Sequence, residues 1–144
     1  MHPFPHQYRV SIAGAPTGNV TLSSPGLTSL ASAPPAEFGG PGDQWSPETL
    51  LTAALADCFV LSFRAVAAAS KFEWRQLECD VEGTLDRIER VSLFTRFVIK
   101  AKLTVPGGAD TERGKKLLEK AEQVCLISAS LKAERHLQAE VVTG

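Results

Sequence analysis

The longest apolar stretch of the chain, at residues 46–70, predicts a helix. Ser46 is a good N-cap, Pro47 suits the first helical position, and Glu48 in the first turn agrees with the helix dipole. Apolar side chains cover almost the whole circumference, and a helix that is apolar all round is buried all round. Because one chain of 144 residues can hardly surround such a helix, we predict that a second subunit helps to cover it.

Two long strands follow, and in both of them apolar and polar residues alternate. From Leu77 the apolar positions alternate with acidic residues, and from Val91 to Val105 they alternate largely with basic residues. If the strands pair antiparallel, the acidic face of one meets the basic face of the other, which favours a hairpin with its turn at residues 87–90.

Shorter elements complete the prediction, and their order is strands, helix, strands, helix, strand. In chain order we expect strands at residues 7–13, 19–24 and 27–33, a loop rich in proline and glycine at 33–45, a second helix from Asp110 or Thr111 to about Val124, a helical turn at 127–132, and a strand through Leu137, Ala139 and Val141. The pattern predicts a single α+β domain over residues 1–144, with antiparallel sheets around a long buried central helix.

Composition and charge exclude several functions. The chain is 44% hydrophobic and 22% charged, which is ordinary for a soluble globular protein. A formal net charge of −1 argues against a nucleic-acid partner, because phosphate binding needs a basic surface. Acidic neighbours dilute the basic residues between Arg87 and Lys102, which favours a solvated strand face over a binding patch.

The sequence has no pattern typical of a signal peptide, a membrane helix or a metal site. The N-terminal residues include two prolines and no apolar run, unlike a signal peptide. Asp57 and Arg64 interrupt the long apolar stretch before it reaches the roughly 18 uninterrupted residues of a membrane helix. The three histidines have no spacing that a metal would use. We predict a cytoplasmic protein without membrane contact, whose three cysteines are thiols by default.

The three cysteines differ in context. Cys79 lies between Glu78 and Asp80 on a predicted inward strand face, where burial and negative neighbours raise the pKa of a thiol, so we interpret it as structural. Cys58 lies in the middle of the apolar helix, where most cysteines only pack, but the charged Asp57 beside it indicates that one side of the helix reaches a cleft.

Two further residues could serve Cys58 or act without it. Glu48 lies about 15 Å from Cys58 along the helix axis and about 80° around it, so it could act only through a bridging cation or from a partner subunit. Cys125 stands at a junction of two helical pieces, with Ser128 three residues on. If Cys125 opens the second piece, free N–H groups there lower its pKa; the alternative is a core cysteine at a helix end.

Several motifs together resemble the OsmC/Ohr hydroperoxide reductases. Residues 47–50 read Pro-Glu-Thr-Leu, and Cys58-Phe59 follows ten residues after the glutamate. A second cysteine opens Cys-Leu-Ile-Ser at residues 125–128, where the family has a Cys-Pro-x-Ser-like stretch. Leu-Lys-Ala-Glu at 131–134 is similar to the OsmC branch, and Phe-Gly-Gly at 38–40 also fits. The resemblance extends from about residue 19 to 142.

The resemblance implies an intertwined homodimer with two long helices buried between sheets and active sites at the subunit interface. Cys58 would be the thiolate that attacks an organic hydroperoxide, Cys125 the resolving thiol, and Glu48 the residue that holds an active-site arginine. The products would be an alcohol and a Cys58–Cys125 disulfide, which an external dithiol reduces. In the Ohr branch that dithiol is a lipoyl group. No metal or organic cofactor is implied.

The sequence departs from the family at the arginine. Residues 10–63 contain none, and Leu126 replaces the usual proline after the second cysteine. Arg9 in the first strand and Arg96 on a sheet face are the candidate substitutes, although a surface role is the favoured interpretation of each. Losing a donor that stabilises the departing oxygen typically lowers the rate by about 100- to 1,000-fold.

Two functions therefore stay open. The first is a peroxidase in which Leu55, Phe59 and Leu61 line a pocket suited to an organic peroxide tail. The second is a protein of the same fold that binds an apolar small molecule, with weak or no peroxidase activity; the missing arginine favours it. For the peroxidase, the family order assigns attack to Cys58, although the helix terminus lies next to Cys125.

Overall fold

The computed structural model describes all 144 residues, and they divide into two compact units, Met1–Leu51 and Thr52–Gly144. The first unit contains strands β1 (Ser11–Ala13), β2 (Val20–Ser23) and β3 (Leu30–Ser32), a 3-10 turn at Ala36–Phe38, and the first residues of helix α1 (Pro47–Ala69). The second contains the rest of α1, strands β4 (Gln76–Ile88) and β5 (Val91–Val105), helices α2 (Thr111–Val124) and α3 (Leu126–Ala129), and strand β6 (Glu134–Thr143).

The first unit is built on a small antiparallel sheet in the order β1-β2-β3. Its strands are shorter than predicted. Residues 7–10 have no strand partner, and the β1–β2 pairing extends only from Ser11 opposite Ser23 to Ala13 opposite Thr21. β3 begins at Leu30 because the Leu27 N–H closes a turn onto the carbonyl of Ser24.

Helix α1 begins where the sequence predicts. The Ser46 Oγ accepts a hydrogen bond from the Thr49 N–H at 3.1 Å, and the Thr49 hydroxyl accepts one from the Ser46 N–H at 2.9 Å. Two N–H groups at the helix start are satisfied in this reciprocal way, and Pro47 stands at the first helical position. The start of the helix is therefore fixed by local chemistry.

The second unit is built on a three-stranded sheet in the order β4-β5-β6. β4 and β5 form the predicted antiparallel hairpin, in which Glu78 lies opposite Lys102 and Asp80 opposite Lys100. β6, in contrast, pairs parallel to β5, which differs from the antiparallel pairing that we expected. Because a parallel partner needs a crossover, α2 and α3 form the connection between these strands.

The core of the second unit follows the two predicted periodicities. Alternate residues of β5 are fully buried, as is one stripe of α1 at intervals of four residues: Phe97, Ile99, Leu103 and Val105 on the strand, and Leu55, Phe59, Phe63 and Ala67 on the helix. α2 lies close to the sheet, since a Cβ at Gly114 would be only 3.3 Å from the Leu103 side chain. The fold class is α+β, as predicted.

One chain covers only one stripe of α1. Other apolar residues of the helix keep surface, and Leu61 is 49% exposed. By length and composition α1 is also long and apolar enough to cross a membrane. Its buried stripe, however, is that of a core helix in a soluble protein. The incomplete cover agrees with our argument that a single chain cannot surround this helix.

Candidate active site

The structure brings Cys58 and Cys125 together, although 67 positions separate them in the chain. Cys58 lies in the middle of α1, and Cys125 lies between the end of α2 and the start of α3. The Cys125 thiol interacts electrostatically with the Cys58 sulfur. The two sulfurs are not bonded to each other, and all three cysteines of the chain are free. Two neighbouring thiols can form a disulfide after one of them is oxidised, once their sulfurs move to bonding distance.

The Cys58 sulfur is surrounded by hydrogen-bond donors. Partial burial alone would raise the pKa of this thiol. The backbone N–H groups of Ile127 and Leu126, the Cys125 thiol and the Ser62 hydroxyl, whose oxygen lies 3.9 Å from the sulfur, act in the opposite direction. Their combined effect lowers the pKa of Cys58 below its ordinary value, because each donor stabilises the thiolate.

Helix α3 supplies those backbone donors. Its first N–H groups have no acceptor within the helix, so they are free to bind another group. The N–H groups of Leu126 and Ile127 interact with the Cys58 sulfur, and the Ser128 N–H donates to the Cys125 sulfur at 3.5 Å. The start of α3 therefore serves both sulfurs.

The N–H groups at the start of α3 do act to lower the pKa of Cys125, but the alternative of a core cysteine at a helix end describes the net outcome. Cys125 does open this helix, but its side chain is almost completely buried, with 1% of the residue exposed. Burial, followed by the interaction with Cys58, raises the pKa of Cys125 to about 11, although the Ser128 N–H acts against both. Cys58 is therefore the member of the pair that ionises first, and Cys125 retains its proton.

Ser128 connects the cysteine pair to two charged residues that sequence reasoning missed. Its hydroxyl donates to Oε1 of Glu122 at 2.5 Å, and Nε of Arg135 lies 3.5 Å from the same carboxylate oxygen. Nη1 of Arg135 also donates to the carbonyls of Leu131 at 3.0 Å and Ala133 at 2.7 Å. These residues come from α2, α3 and β6, so no local sequence pattern joins them. The one local signal was the spacing of Ser128 from Cys125.

Glu48 lies in the first turn of α1, in the first unit, and one of its carboxylate oxygens is buried. It borders a cavity of about 370 Å³ that belongs to this unit and is lined mainly by apolar residues, among them Val20, Ala33, Pro34 and Phe38. This part of the chain therefore offers an apolar space with one carboxylate at its edge.

The two candidate arginines are exposed. Arg9 lies in the first unit and donates to Oε1 of Gln7 at 2.9 Å. Arg96 lies on β5 between Thr84 of β4 and Glu134 of β6, and its guanidinium makes no hydrogen bond or ion pair within the chain. Neither residue has the fixed geometry expected of a bound cation at a reaction centre.

The predicted pocket residues have different surroundings. Leu55 and Phe59 are fully buried in the second unit, and Leu61 is half exposed. Of the three, only Leu61 has surface that a substrate could touch in this chain.

The prediction that the pKa of Cys79 is raised is confirmed, since burial and then the Asp80 carboxylate raise it to about 11.

Comparison with known proteins relates the chain to one protein family and to several of its members. The sequence profile of the OsmC-like protein family matches residues 40–140. The uncharacterized protein YmaD of Bacillus subtilis is 28% identical over 123 residues, which are 83% of this chain and 81% of YmaD. The organic hydroperoxide resistance protein of Xanthomonas axonopodis is 30% identical over 112 residues, which are 78% of this chain and 77% of that protein.

The fold agrees with a solved structure. An organic hydroperoxide resistance protein OsmC from Legionella pneumophila, described as a predicted redox protein, superposes with a TM-score of 0.76 at 25% identity, over 97% of this chain and 99% of that one. On the profile match, which covers more than half of its residues, this chain belongs to the OsmC-like protein family.

Proposed function

We propose that this protein is a thiol-dependent peroxidase that reduces organic hydroperoxides to alcohols through Cys58 and Cys125. One observation carries the proposal: the two thiols interact with each other, and the pKa of Cys58 is lowered while that of Cys125 is raised. A peroxidase of this kind needs one thiolate and one neighbouring thiol, because the thiolate attacks and the thiol resolves. The names of the Xanthomonas and Legionella relatives support the same activity.

The proposed reaction begins at Cys58. Its thiolate attacks the distal oxygen of the hydroperoxide, the O–O bond breaks, and the departing alkoxide takes a proton to become the alcohol. Cys58 is left as a sulfenic acid. The Cys125 thiol condenses with it, which forms the Cys58–Cys125 disulfide and releases water. An external dithiol, such as a lipoyl group, then reduces the disulfide through a mixed disulfide and is itself oxidised.

The two steps are coupled through charge. The Cys58 thiolate is one of the groups that raise the pKa of Cys125. When attack converts that thiolate into a neutral sulfenic acid, this repulsion disappears and Cys125 loses its proton more readily. Cys125 therefore becomes a better nucleophile only after Cys58 has reacted.

The amides of Leu126 and Ile127 supply part of the stabilisation expected from the family arginine. Complete ionisation of an ordinary thiol gains at most about thirtyfold in rate at pH 7. Stabilising the departing oxygen is a separate contribution of about 100- to 1,000-fold, for which a cation is still needed. We propose that Glu48 holds that cation, with Arg9 or Arg96 as its source in the assembled protein.

Assembly is part of the proposal. The half-exposed Leu61, together with Val124 and Leu126, which are 46% and 68% exposed, leaves apolar surface on the second unit. We propose that a second copy of the chain covers it in an intertwined homodimer and completes a substrate pocket at the interface. The family profile extends across the boundary at Leu51, which supports a single functional domain. A cytoplasmic location and the absence of a nucleic-acid partner remain predictions.

A second function is favoured by a specific observation. Residues 10–63 contain no arginine, and the cavity bordered by Glu48 is largely apolar. A protein that binds an apolar small molecule, with weak or no peroxidase activity, would need no arginine there.

Consumption of cumene hydroperoxide in the presence of dithiothreitol separates the two functions. We expect the wild-type protein to turn over the peroxide, Cys58→Ser to lose at least about 1,000-fold of that rate, and the matched control Cys79→Ser to keep it. Full activity in Cys58→Ser, or no turnover by the wild type, would contradict the peroxidase proposal.

A further inference from the structure

Glu122 holds the Cys125 segment at two points. Its backbone carbonyl accepts the N–H of Cys125 at 3.3 Å, and its side chain accepts the hydroxyl of Ser128 at 2.5 Å. The backbone between these points contains Leu126 and Ile127, whose N–H groups interact with the Cys58 sulfur. One residue of α2 thus fixes both ends of the short segment that faces the attacking cysteine.

The position of Glu122 is unfavourable for the helix that carries it. Glu122 lies in the last turn of α2, where the helix dipole disfavours a negative charge, and this turn has no basic residue to offset it. The compensating contacts come from outside α2, from Ser128 on α3 and Arg135 on β6. A carboxylate kept at such a position is better explained by these contacts than by helix stability.

Arg135 is the cation beside Glu122. Its Nη1 donates to the carbonyls of Leu131 and Ala133, and its Nε faces Glu122. These contacts tie the residues after α3 to the carboxylate. With its guanidinium held by these three protein groups, Arg135 can fix the orientation of Glu122.

Ser128 transmits the constraint to the sulfurs. It is almost completely buried, with 2% of the residue exposed, and it donates its hydroxyl to Glu122 and its N–H to Cys125. Without the carboxylate, the hydroxyl would be a buried donor in need of another acceptor, and the first turn of α3 would reorient to find one.

We propose that Glu122 is a positioning residue for the attacking cysteine: with Arg135 behind it, it holds Ser128 so that the Leu126 and Ile127 N–H groups point at the Cys58 sulfur. The inference rests on the proposed peroxidase function for its biological meaning, because the geometry matters most if Cys58 must ionise. Glu122 touches neither the peroxide nor the reacting sulfur, so its effect is indirect.

The test is the pH profile of Cys58 alkylation by iodoacetamide, followed by mass spectrometry of the labelled peptide. Glu122→Ala should raise the midpoint of this profile by about half to one pH unit, which slows alkylation below the midpoint about three- to tenfold. Glu122→Gln should keep most of the wild-type profile, because its side-chain oxygen can still accept the Ser128 hydroxyl. Glu119→Ala, an exposed change one turn earlier on α2, is the matched control and should have no effect.

The outcomes separate this inference from the peroxidase proposal. A folded Glu122→Ala with an unchanged midpoint, or an equal shift in Glu119→Ala, would overturn the positioning role even if the wild type is an active peroxidase. An inactive wild type with the expected shift would overturn the peroxidase proposal alone. If Glu122→Ala does not fold, Ser128→Ala decides: a raised midpoint supports the role of the network, and an unchanged one refutes it.

Discussion

Cys58 and Cys79 share two local features but have opposite chemistry. Each is partly buried, and each has an aspartate as its neighbour in the chain, Asp57 and Asp80. The pKa of Cys58 is lowered, whereas that of Cys79 is raised to about 11. The difference is that Cys58 receives four hydrogen-bond donors from a helix start and two side chains, whereas burial and the Asp80 carboxylate dominate at Cys79. Donors from distant parts of the chain lower the pKa of Cys58, whereas burial and a sequence neighbour raise that of Cys79.

Beyond the loss expected of Cys58→Ser, the largest effect should follow from removal of the partner thiol, Cys125. Cys125→Ser should reduce one equivalent of cumene hydroperoxide per chain at close to the wild-type rate, because the amides of Leu126 and Ile127 and the Ser62 hydroxyl still stabilise the Cys58 thiolate. Its steady-state turnover should fall on the order of 100-fold, since no internal thiol resolves the sulfenic acid. Stopped-flow and steady-state assays measure the two rates, with Cys79→Ser as control. Loss of the first turnover would place the attack on Cys125 instead.

The labelling rates of Cys58 and Cys79 should differ by a smaller factor. At pH 8 we expect iodoacetamide to label Cys58 at least about tenfold faster than Cys79, because a roughly 100-fold larger thiolate fraction outweighs the lower nucleophilicity of a weaker base. The Cys58 rate falls as the pH falls through its lowered pKa, while the Cys79 rate keeps rising up to about pH 11. Peptide mapping after a short pulse of iodoacetamide measures both labelling rates. Equal rates at pH 8 would contradict the opposite pKa shifts of the two thiols.

The smallest effect concerns stability at alkaline pH. The pKa of Cys79 is higher in the folded chain than its ordinary value of 9.0, so the unfolded state loses the proton first. The contribution of the Cys79 thiol to the free energy of unfolding is therefore complete below about pH 9 and is lost as the pH rises toward 11. About 1 kcal/mol of it is lost at pH 10. Denaturant unfolding should show that Cys79→Ala weakens this alkaline decline by that amount relative to wild type. An identical decline in both proteins would contradict a raised pKa at Cys79.

Local patterns predicted the elements whose ends are set locally. The reciprocal contact of Ser46 with Thr49 begins α1 at Pro47, and Asp110 accepts the Arg113 N–H at 3.0 Å to begin α2 at Thr111. The period of two predicted both long strands, because alternate residues of β5 face a core. The family resemblance, carried by the residues around both cysteines, is confirmed by the profile match.

What the sequence did not predict depends on contacts between distant elements. The parallel pairing of β6 follows from the crossover through α2 and α3, and no residue within β6 specifies it. Gly114 weakens α2 locally, yet its missing Cβ allows close contact with Phe72 and Leu103. The amides of α3 act on Cys58 as well as on the adjacent Cys125, so reasoning from chain neighbours found only one of the two sulfurs that they stabilise.

The most direct test of the redox pair is peptide mapping after one equivalent of cumene hydroperoxide is added to the reduced protein without any reductant. We expect two thiols per chain to disappear, a peptide containing Cys58 to be linked to one containing Cys125, and Cys79 to remain fully alkylatable. Survival of all three thiols, or a disulfide that includes Cys79, would contradict the pairing of Cys58 with Cys125.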